Sequence, residues 1–507
     1  MLDIIRALHA DAARHQQLLE QIMTFLKQFD LPVATPALPT WYPRENGGVS
    51  DLGHPPCKVR RIEGGQRISV DIVARLKATA KGRFYASHLK QHPFVRGVVI
   101  WLWRNAYPIY VNHISIFLKN RKDTRWQLLI KLADYTKSRG LTTIQLANAV
   151  VVETPTPKVF PKSDQGYLES LHDRYIAPSI YVAAINDGMI YGGSNLILTQ
   201  DEVICHDLYD FERDYTSEEL HGRILIEPVK GRIRWLMHDE FPERVAVAAA
   251  FVDACANNYA HWLSEVLPRI AVFCAEEQFK GIPIVVNGGL HKNIMESLFL
   301  VAGSEREIIT LPIGRALSVD VLYLTSVAGY VPFERRKSKL SGYSHGKFNP
   351  RAFDLLRSNI DAFMGKEKEQ GWPEKIFLRR NSGARKITNA AELEKLMVTR
   401  GYSIVEPGEL TFLQQVKLFN NTQIIFSPTG AALSNAVFCK PGTQVGVLMA
   451  KHENMIYRYW CNMLTPIRIN VGYVLGKIIE NNHLGIHGDF AVDIAEVICL
   501  LEAMESK

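Results

Sequence analysis

In the stretch NNYAHWLSEVLPRI, His261 and Glu265 stand four residues apart, so on a helix they share one face. Either group, turned toward a substrate, can take a proton from a hydroxyl; a structural role on a helix flank is the plainer alternative. Arg269 extends the same face by one turn. A second group is cationic. KIFLRRNSGARKITN places Arg379, Arg380, Arg385 and Lys386 at the end of an apolar run and just beyond it. Guanidinium groups at a strand end suit bidentate contact with phosphate oxygens, the alternative being solvated arginines at a sheet rim. The third group is SPTGAALSNAVF, behind the apolar run TQIIF. There Gly430 and the small Ala431 let a ligand approach the N–H groups of a following helix, with Thr429 beside them. A tight turn that needs glycine for backbone reasons alone reads equally well. Asn435 lies near that turn, within reach of a ligand or a neighbouring loop. In EPGELTFLQQ, Glu409 or Gln415 offers a partner for a ribose or sugar hydroxyl, and capping or surface roles fit them as well.

Other chemistries find no support. There is no GxGxxG, GxxxxGK[ST] or HExxH. No Asp-x-Asp pair offers ligands for a metal on a diphosphate, so no metal and no cofactor is expected. The seven cysteines are odd in number, scattered and without a CxxC, which argues against a disulfide framework or zinc site and for a reducing compartment.

These residues need elements to hold them. At 507 residues, with 47% hydrophobic residues, the chain is long enough for two or three packed domains. From about 150 onward, short β-rich runs (YVAAIND, RVAVAAAFVD, IPIVVNG, VDVLYLT) alternate with helical ones. A second series follows: KIFLRR, YSIVEP, TQIIFSP and TQVGVLM, again separated by helices. That alternation predicts parallel sheets covered on both faces. Two Rossmann-like domains facing a cleft are expected, 150–365 and 366–475, with a tail over 476–507 packing back. In such sheets ligands bind beyond the carboxyl ends of the strands, where the cationic and glycine-containing stretches fall.

The N-terminal part differs in texture. Residues 1–70 hold an amphipathic helix pattern over 1–30, then a Pro/Gly-rich linker; apolar Leu2, Ile5, Leu8, Leu18, Ile22 and Phe25 give the helix a face for a partner, a second copy included. Residues 71–149 read as basic and helical. Within 75–131 there are twelve Lys/Arg and one acid, so this segment carries +11 of a net +7, leaving −4 elsewhere. Trp101, Trp103, Tyr107 and Tyr110 are interleaved with those cations, a pattern suited to an anionic membrane surface; a core helix pair with a solvated basic face is the alternative. Nucleic acid is not an expected partner, since no recognition module accompanies the charge. With no signal-peptide pattern and no run of 18 uncharged apolar residues, a cytoplasmic location is expected, peripheral on the inner membrane if the basic segment docks.

The order of these blocks resembles glycosyltransferase family 61, the group that includes capsular-polysaccharide transferases. NNYAHWLSEVLPR resembles its Tyr-x-His-Trp-Leu…Pro-Arg helix, and KIFLRRNSGARKITNAAEL its strand–Arg–Arg–Asn segment. EPGELTFLQQVKLFNNTQIIFSPTGAALSNAVFCKPGTQVGVL resembles its Glu…Gln…Phe, Gly-Ala-x-Leu-x-Asn and Pro-Gly-Thr blocks, and HGDFAVDIAEV its C-terminal block. The resemblance covers about 150–500. It implies an α/β fold of the GT-B type, preceded here by an N-terminal helical extension. It also implies an inverting, metal-independent transfer from a nucleotide sugar to a glycan or lipid-linked acceptor, here in bacterial surface polysaccharide synthesis. On that reading His261 or Glu265 is the base, and Arg379, Arg380, Arg385, Thr429, Gly430, Ala431, Asn435 and Glu409 surround the donor. The family usually has His where Thr429 stands, and Thr cannot carry positive charge. A non-catalytic, glycan-binding scaffold of the same fold is the alternative.

Overall fold

The computed structural model describes residues 58–63 and 126–506, apart from 170–173, 221–222, 238, 240, 333, 336–345, 365–370, 381–384, 453–456 and 480–487. The helix expected over 1–30, and with it the N-terminal helical extension, lies outside the described residues, as does most of the basic segment, 71–125.

The larger sheet is built on β1 (Val59–Arg61), β2 (Ile180–Tyr191), β3 (Glu243–Ala250), β4 (Ile284–Asn287), β5 (Ile308–Leu311) and β6 (Ala316–Thr325). They lie side by side in the order β1-β5-β4-β3-β6-β2. The first five in that order run parallel, and β2 is antiparallel to β6. β4 (IVVN) is buried along its whole length, as a strand covered on both faces must be. Beyond β2 the sheet continues through shorter strands, reaching 12 among the described residues.

Two parts of the sheet come from segments read differently in the sequence. Trp126–Lys131 and Thr143–Ala147, inside the stretch expected to be helical, are strands, and only Leu132–Ser138 between them is helix. WQLLIK carries the branched and aromatic residues that a sheet favours, and it fills the gap between Glu202–Cys205 and Arg232–Trp235. β1, inside the expected linker, pairs with β5.

The second sheet contains β7 (Lys375–Leu378), β8 (Ser403–Val405), β9 (Ile424–Pro428), β10 (Gln444–Ala450) and β11 (Asn470–Ile478), ordered β8-β7-β9-β10-β11 and all parallel. Lys158–Phe160, far back in the chain, adds a parallel strand beside β11.

The helices that matter here are α1, running through Tyr259–His261, a π turn at Trp262–Val266 and Leu267–Cys274, then α2 (Lys292–Ala302), α3 (Pro350–Met364), α4 (Ala390–Thr399), α5 (Phe412–Asn421) and α6 (Ile494–Glu505). α5 starts in a capping box between Thr411 and Gln414. One apolar core joins the two sheets: Phe251, Trp262 and Ile270 share it with Phe377, Phe426 and Tyr473. A second cluster, with Ile185, Ala248, Val285 and Leu322, covers the other face of the larger sheet.

The strand orders say where ligands belong. In chain order β3 to β6 lie 3-2-1-4, so the order reverses between β3 and β6; β7 to β11 lie 2-1-3-4-5, reversing between β7 and β9. Crevices open at such reversals, outside the carboxyl ends of the strands.

Candidate active site

α1 begins at Asn258, whose side-chain oxygen accepts the Ala260 N–H at 3.0 Å. Pro268 then has no N–H to offer the Ser264 carbonyl, and its ring crowds that oxygen. The helix answers with the π turn, in which the Leu267 N–H reaches back five residues to the Trp262 carbonyl. Single π turns of this kind occur often at functional sites.

Just at this turn His261 Nδ1 and Glu265 Oε1 meet at 2.5 Å. The other carboxylate oxygen accepts the Val331 N–H at 3.2 Å. With Nδ1 engaged, Nε2 is the nitrogen that a substrate would meet. Burial opposes charge on both groups. For His261 the adjacent Glu265 charge and hydrogen bond outweigh burial, holding the imidazole above its ordinary pKa. For Glu265 burial outweighs the attraction of His261 and raises the carboxyl. The pair therefore behaves as one proton-holding unit.

The dyad lines a pocket at the β3/β6 reversal, with ≈ 590 Å³ of space, part of it open to solvent. Its wall brings in residues that the sequence reading did not single out. Asp253 sits three residues past β3 and is held on every side. Its N–H donates to Asn287 Oδ1 (2.9 Å), Asn287 Nδ2 donates to its carbonyl (2.8 Å), and its carboxylate accepts the Cys255 N–H (2.8 Å). Its position after an apolar parallel strand was the signal available in the sequence.

Arg269, named only as an extension of the helix face, is buried at 8% exposure, and its Nη2 makes no hydrogen bond. Burial lowers its pKa against the pull of Asp253 and Glu265. His206 enters from a loop with no sequence signature; burial pushes its imidazole down to about 3, so it stays neutral.

On the second sheet, Arg379 and Arg380 leave the end of β7 in different directions. Arg379 forms a bidentate pair with Glu394 on α4 (2.8 and 2.6 Å), a structural use of a residue expected at the donor. Arg380 lies over the β7/β9 reversal, and its Nη1 donates to the Thr429 carbonyl at 3.1 Å. Burial, then the neighbouring Arg385, bring its pKa down to about 10. Arg385 adopts a left-handed backbone (φ 58°), and its buried Nε has no hydrogen-bond partner.

Gly430 makes room for Arg380: a β-carbon there would lie 2.1 Å from Arg380 Nη1. The helix expected after it is a 3-10 turn, Ala431–Phe438. Ser434 Oγ and Asn435 Nδ2 donate to the Ala431 and Ala432 carbonyls three residues back, which favours the tighter winding. The α-helical terminus expected to hold an anion is therefore absent from this turn, and Gly430 and Ala431 lead into it.

Thr429 is buried, and its hydroxyl accepts the Trp460 indole N–H at 3.1 Å. Asn435 is fully buried. Its Oδ1 accepts the Tyr259 hydroxyl (2.8 Å) and its Nδ2 donates to Gln415 Oε1 (2.6 Å). It thus reaches a neighbouring element and ties α1, which bears His261, to the Ala431–Phe438 turn. Glu409 lies exposed on the 3-10 turn Pro407–Glu409, away from these contacts. Among the described residues no group of three or more His, Cys, Asp or Glu could hold a metal ion, and no helix is long and apolar enough to cross a membrane.

No curated protein matches the chain. The family model of glycosyltransferase 61 matches residues 259–446, a span that opens on α1 with its dyad and closes within β10, taking in both the Arg380–Arg385 segment and the Thr429–Asn435 turn. Over that span, fewer than half of its 507 residues, the chain is similar to glycosyltransferase family 61.

Proposed function

We propose that this glycosyltransferase moves a sugar, with inversion and without a metal, from a nucleoside diphosphate sugar to a hydroxyl of a glycan or lipid-linked acceptor. The pair of part-buried guanidinium groups at the β7/β9 reversal carries this reading. Arg385 Nε is shut from solvent without a hydrogen-bond partner, and Arg380 stands beside it. Two guanidinium groups this close and partly desolvated suit an anionic ligand, the more so as Arg385 Nε is unpartnered. A diphosphate supplies that anion, and guanidinium donors stabilise it as it departs.

The step is a single displacement. His261 Nε2 takes the acceptor proton, the freed oxygen bonds to the anomeric carbon, and the bond to the diphosphate breaks with its electron pair leaving on the phosphate. Glu265 holds the imidazole in place and balances the charge that forms there. The two sheets on this reading form a GT-B arrangement, donor on the second and acceptor on the first.

We place the reaction in bacterial surface polysaccharide synthesis (capsule or lipopolysaccharide), at the inner face of the membrane. The basic segment 75–131 that would dock there lies, up to residue 125, outside the described residues. Sedimentation with anionic vesicles at low and high salt tests that part: salt-sensitive binding is expected, and absence of binding at low salt contradicts it.

The enzymatic reading is tested by offering purified protein a panel of nucleoside diphosphate sugars. Protection from thermal unfolding is expected, weakened by Arg385→Ala, together with release of nucleoside diphosphate. The buried Thr429–Trp460 contact favours a second reading, a glycan-binding scaffold of the same fold, because the residue in the usual His position is occupied in packing. Nucleotide binding with no release or transfer across the panel would select that second reading.

A further inference from the structure

We propose that Arg269 and Asp253 together read two adjacent hydroxyls of a neutral sugar residue at the acceptor end, presenting a further hydroxyl of that residue to His261. This rests on the glycosyl-transfer reading above and names the class of acceptor that it takes.

Arg269 Nη2 is buried, lacks a hydrogen-bond partner and stands 3.8 Å from Asp253 Oδ2. At that separation the two do not hydrogen-bond directly. They form a donor and an acceptor side by side on the pocket wall that His261 and Glu265 also line. Neighbouring sugar hydroxyls each donate and accept, so one can accept from the guanidinium while the next donates to the carboxylate. The arrangement is rigid on both sides: Asp253 is fixed by Asn287 and Cys255, and Arg269 Nε donates back to the Glu265 carbonyl at 3.2 Å.

The charges argue for a neutral ligand. Asp253 and Glu265 already flank the guanidinium, and buried Glu218 lines the same pocket. A uronate or phosphate would face these carboxylates at close range in a poorly solvated site, where like charges repel strongly. Tyr330 and His206, packed with ring centroids 4.4 Å apart, also line the pocket, and His206 Nδ1, enclosed and unpartnered, adds a polar group without charge.

The test is saturation-transfer NMR on the full chain. The probes are methyl glycosides of neutral hexoses, pentoses and N-acetylhexosamines, their single-position deoxy analogues, and the corresponding methyl uronides and sugar phosphates. At least one neutral glycoside is expected to bind. Removing one of two adjacent hydroxyls should weaken it at least about tenfold, as should Asp253→Asn or Arg269→Lys. Stronger binding of uronides or phosphates overturns the proposal, and so does the absence of any neutral binder. Deoxy analogues that bind like their parents overturn it on the unaltered protein, even if both variants fail to fold. Nucleoside diphosphate protection, measured on the same preparation, keeps the two readings apart. If it persists, a failure here falls on the acceptor inference alone.

Discussion

On the proposed reading His261 works as a base only when unprotonated, and Glu265 beside it raises the pH at which that happens. Because the dyad holds the imidazole above its ordinary value of 6.5, activity should rise with pH through a limb above that value. Glu265→Gln removes the charge that opposes burial, so the limb should move to lower pH; a limb that stays in place would remove Glu265 from this role. The same protons bear on stability. Both groups hold protons more tightly folded than unfolded, so the stabilisation that His261 contributes is fully present below about 6.5 and is lost as pH rises through its raised folded value.

Gly430 gives a second residue-scale prediction. Its backbone is extended (φ 177°), so Gly430→Ala carries no backbone strain, and its methyl would clash with the far end of the Arg380 side chain while meeting the Pro428 carbonyl at an ordinary 3.8 Å. Nucleoside diphosphate binding should weaken while the unfolding midpoint scarcely moves; a large stability loss with intact binding would contradict this account. At this scale the sequence was partly legible. The four-residue spacing of His261 and Glu265 showed their shared face, and the Arg cluster marked the β7/β9 reversal. That Arg379 pairs with Glu394 depends on how α4 lies against β7, which the spacing of neither residue reveals.

At the scale of elements, α1 carries His261 and also fastens it to the second sheet. Tyr259, two residues before His261, donates to Asn435, which in turn holds Gln415 on α5. Tyr259→Phe leaves the buried Asn435 oxygen without that donor. The cost should be about 1–3 kcal/mol in urea unfolding, with a fall in the proposed transfer rate as α1 loosens from the Ala431–Phe438 turn. No change in either would show that the bolt is dispensable. Pro268 was visible in the sequence, and a proline inside a helical pattern signals a disturbance. Its outcome as a π turn rather than a break follows from the packing of Trp262, Leu263 and Val266 in the core. The 3-10 winding of Ala431–Phe438 was hidden for a similar reason: small residues and Asn435 allow either winding, and the local side-chain bonds choose.

For the whole molecule, alternating apolar runs sufficed to announce parallel sheets. They did not show that the second sheet needs a strand from before the first is complete. Lys158–Phe160 pairs with β11, and α6 packs across both. Arg458, 1% exposed, reaches back to the carbonyls of Leu168 and Thr154. A three-residue edge strand offers too little pattern to be assigned to a distant sheet from sequence. An isolated 366–507 fragment lacks this strand and the core shared with α1, so it should show no cooperative unfolding by circular dichroism. A sharp transition would show that the second sheet stands alone.

The central claim is that His261 removes the acceptor proton while the second sheet holds the diphosphate. It is tested most directly by following nucleoside diphosphate release and product formation by NMR for the unaltered protein and His261→Ala. The account predicts a product of inverted anomeric configuration and a rate about 10²–10⁴-fold lower in the variant, with nucleotide protection unchanged. Equal rates in the two proteins, or a product of retained configuration, would contradict it.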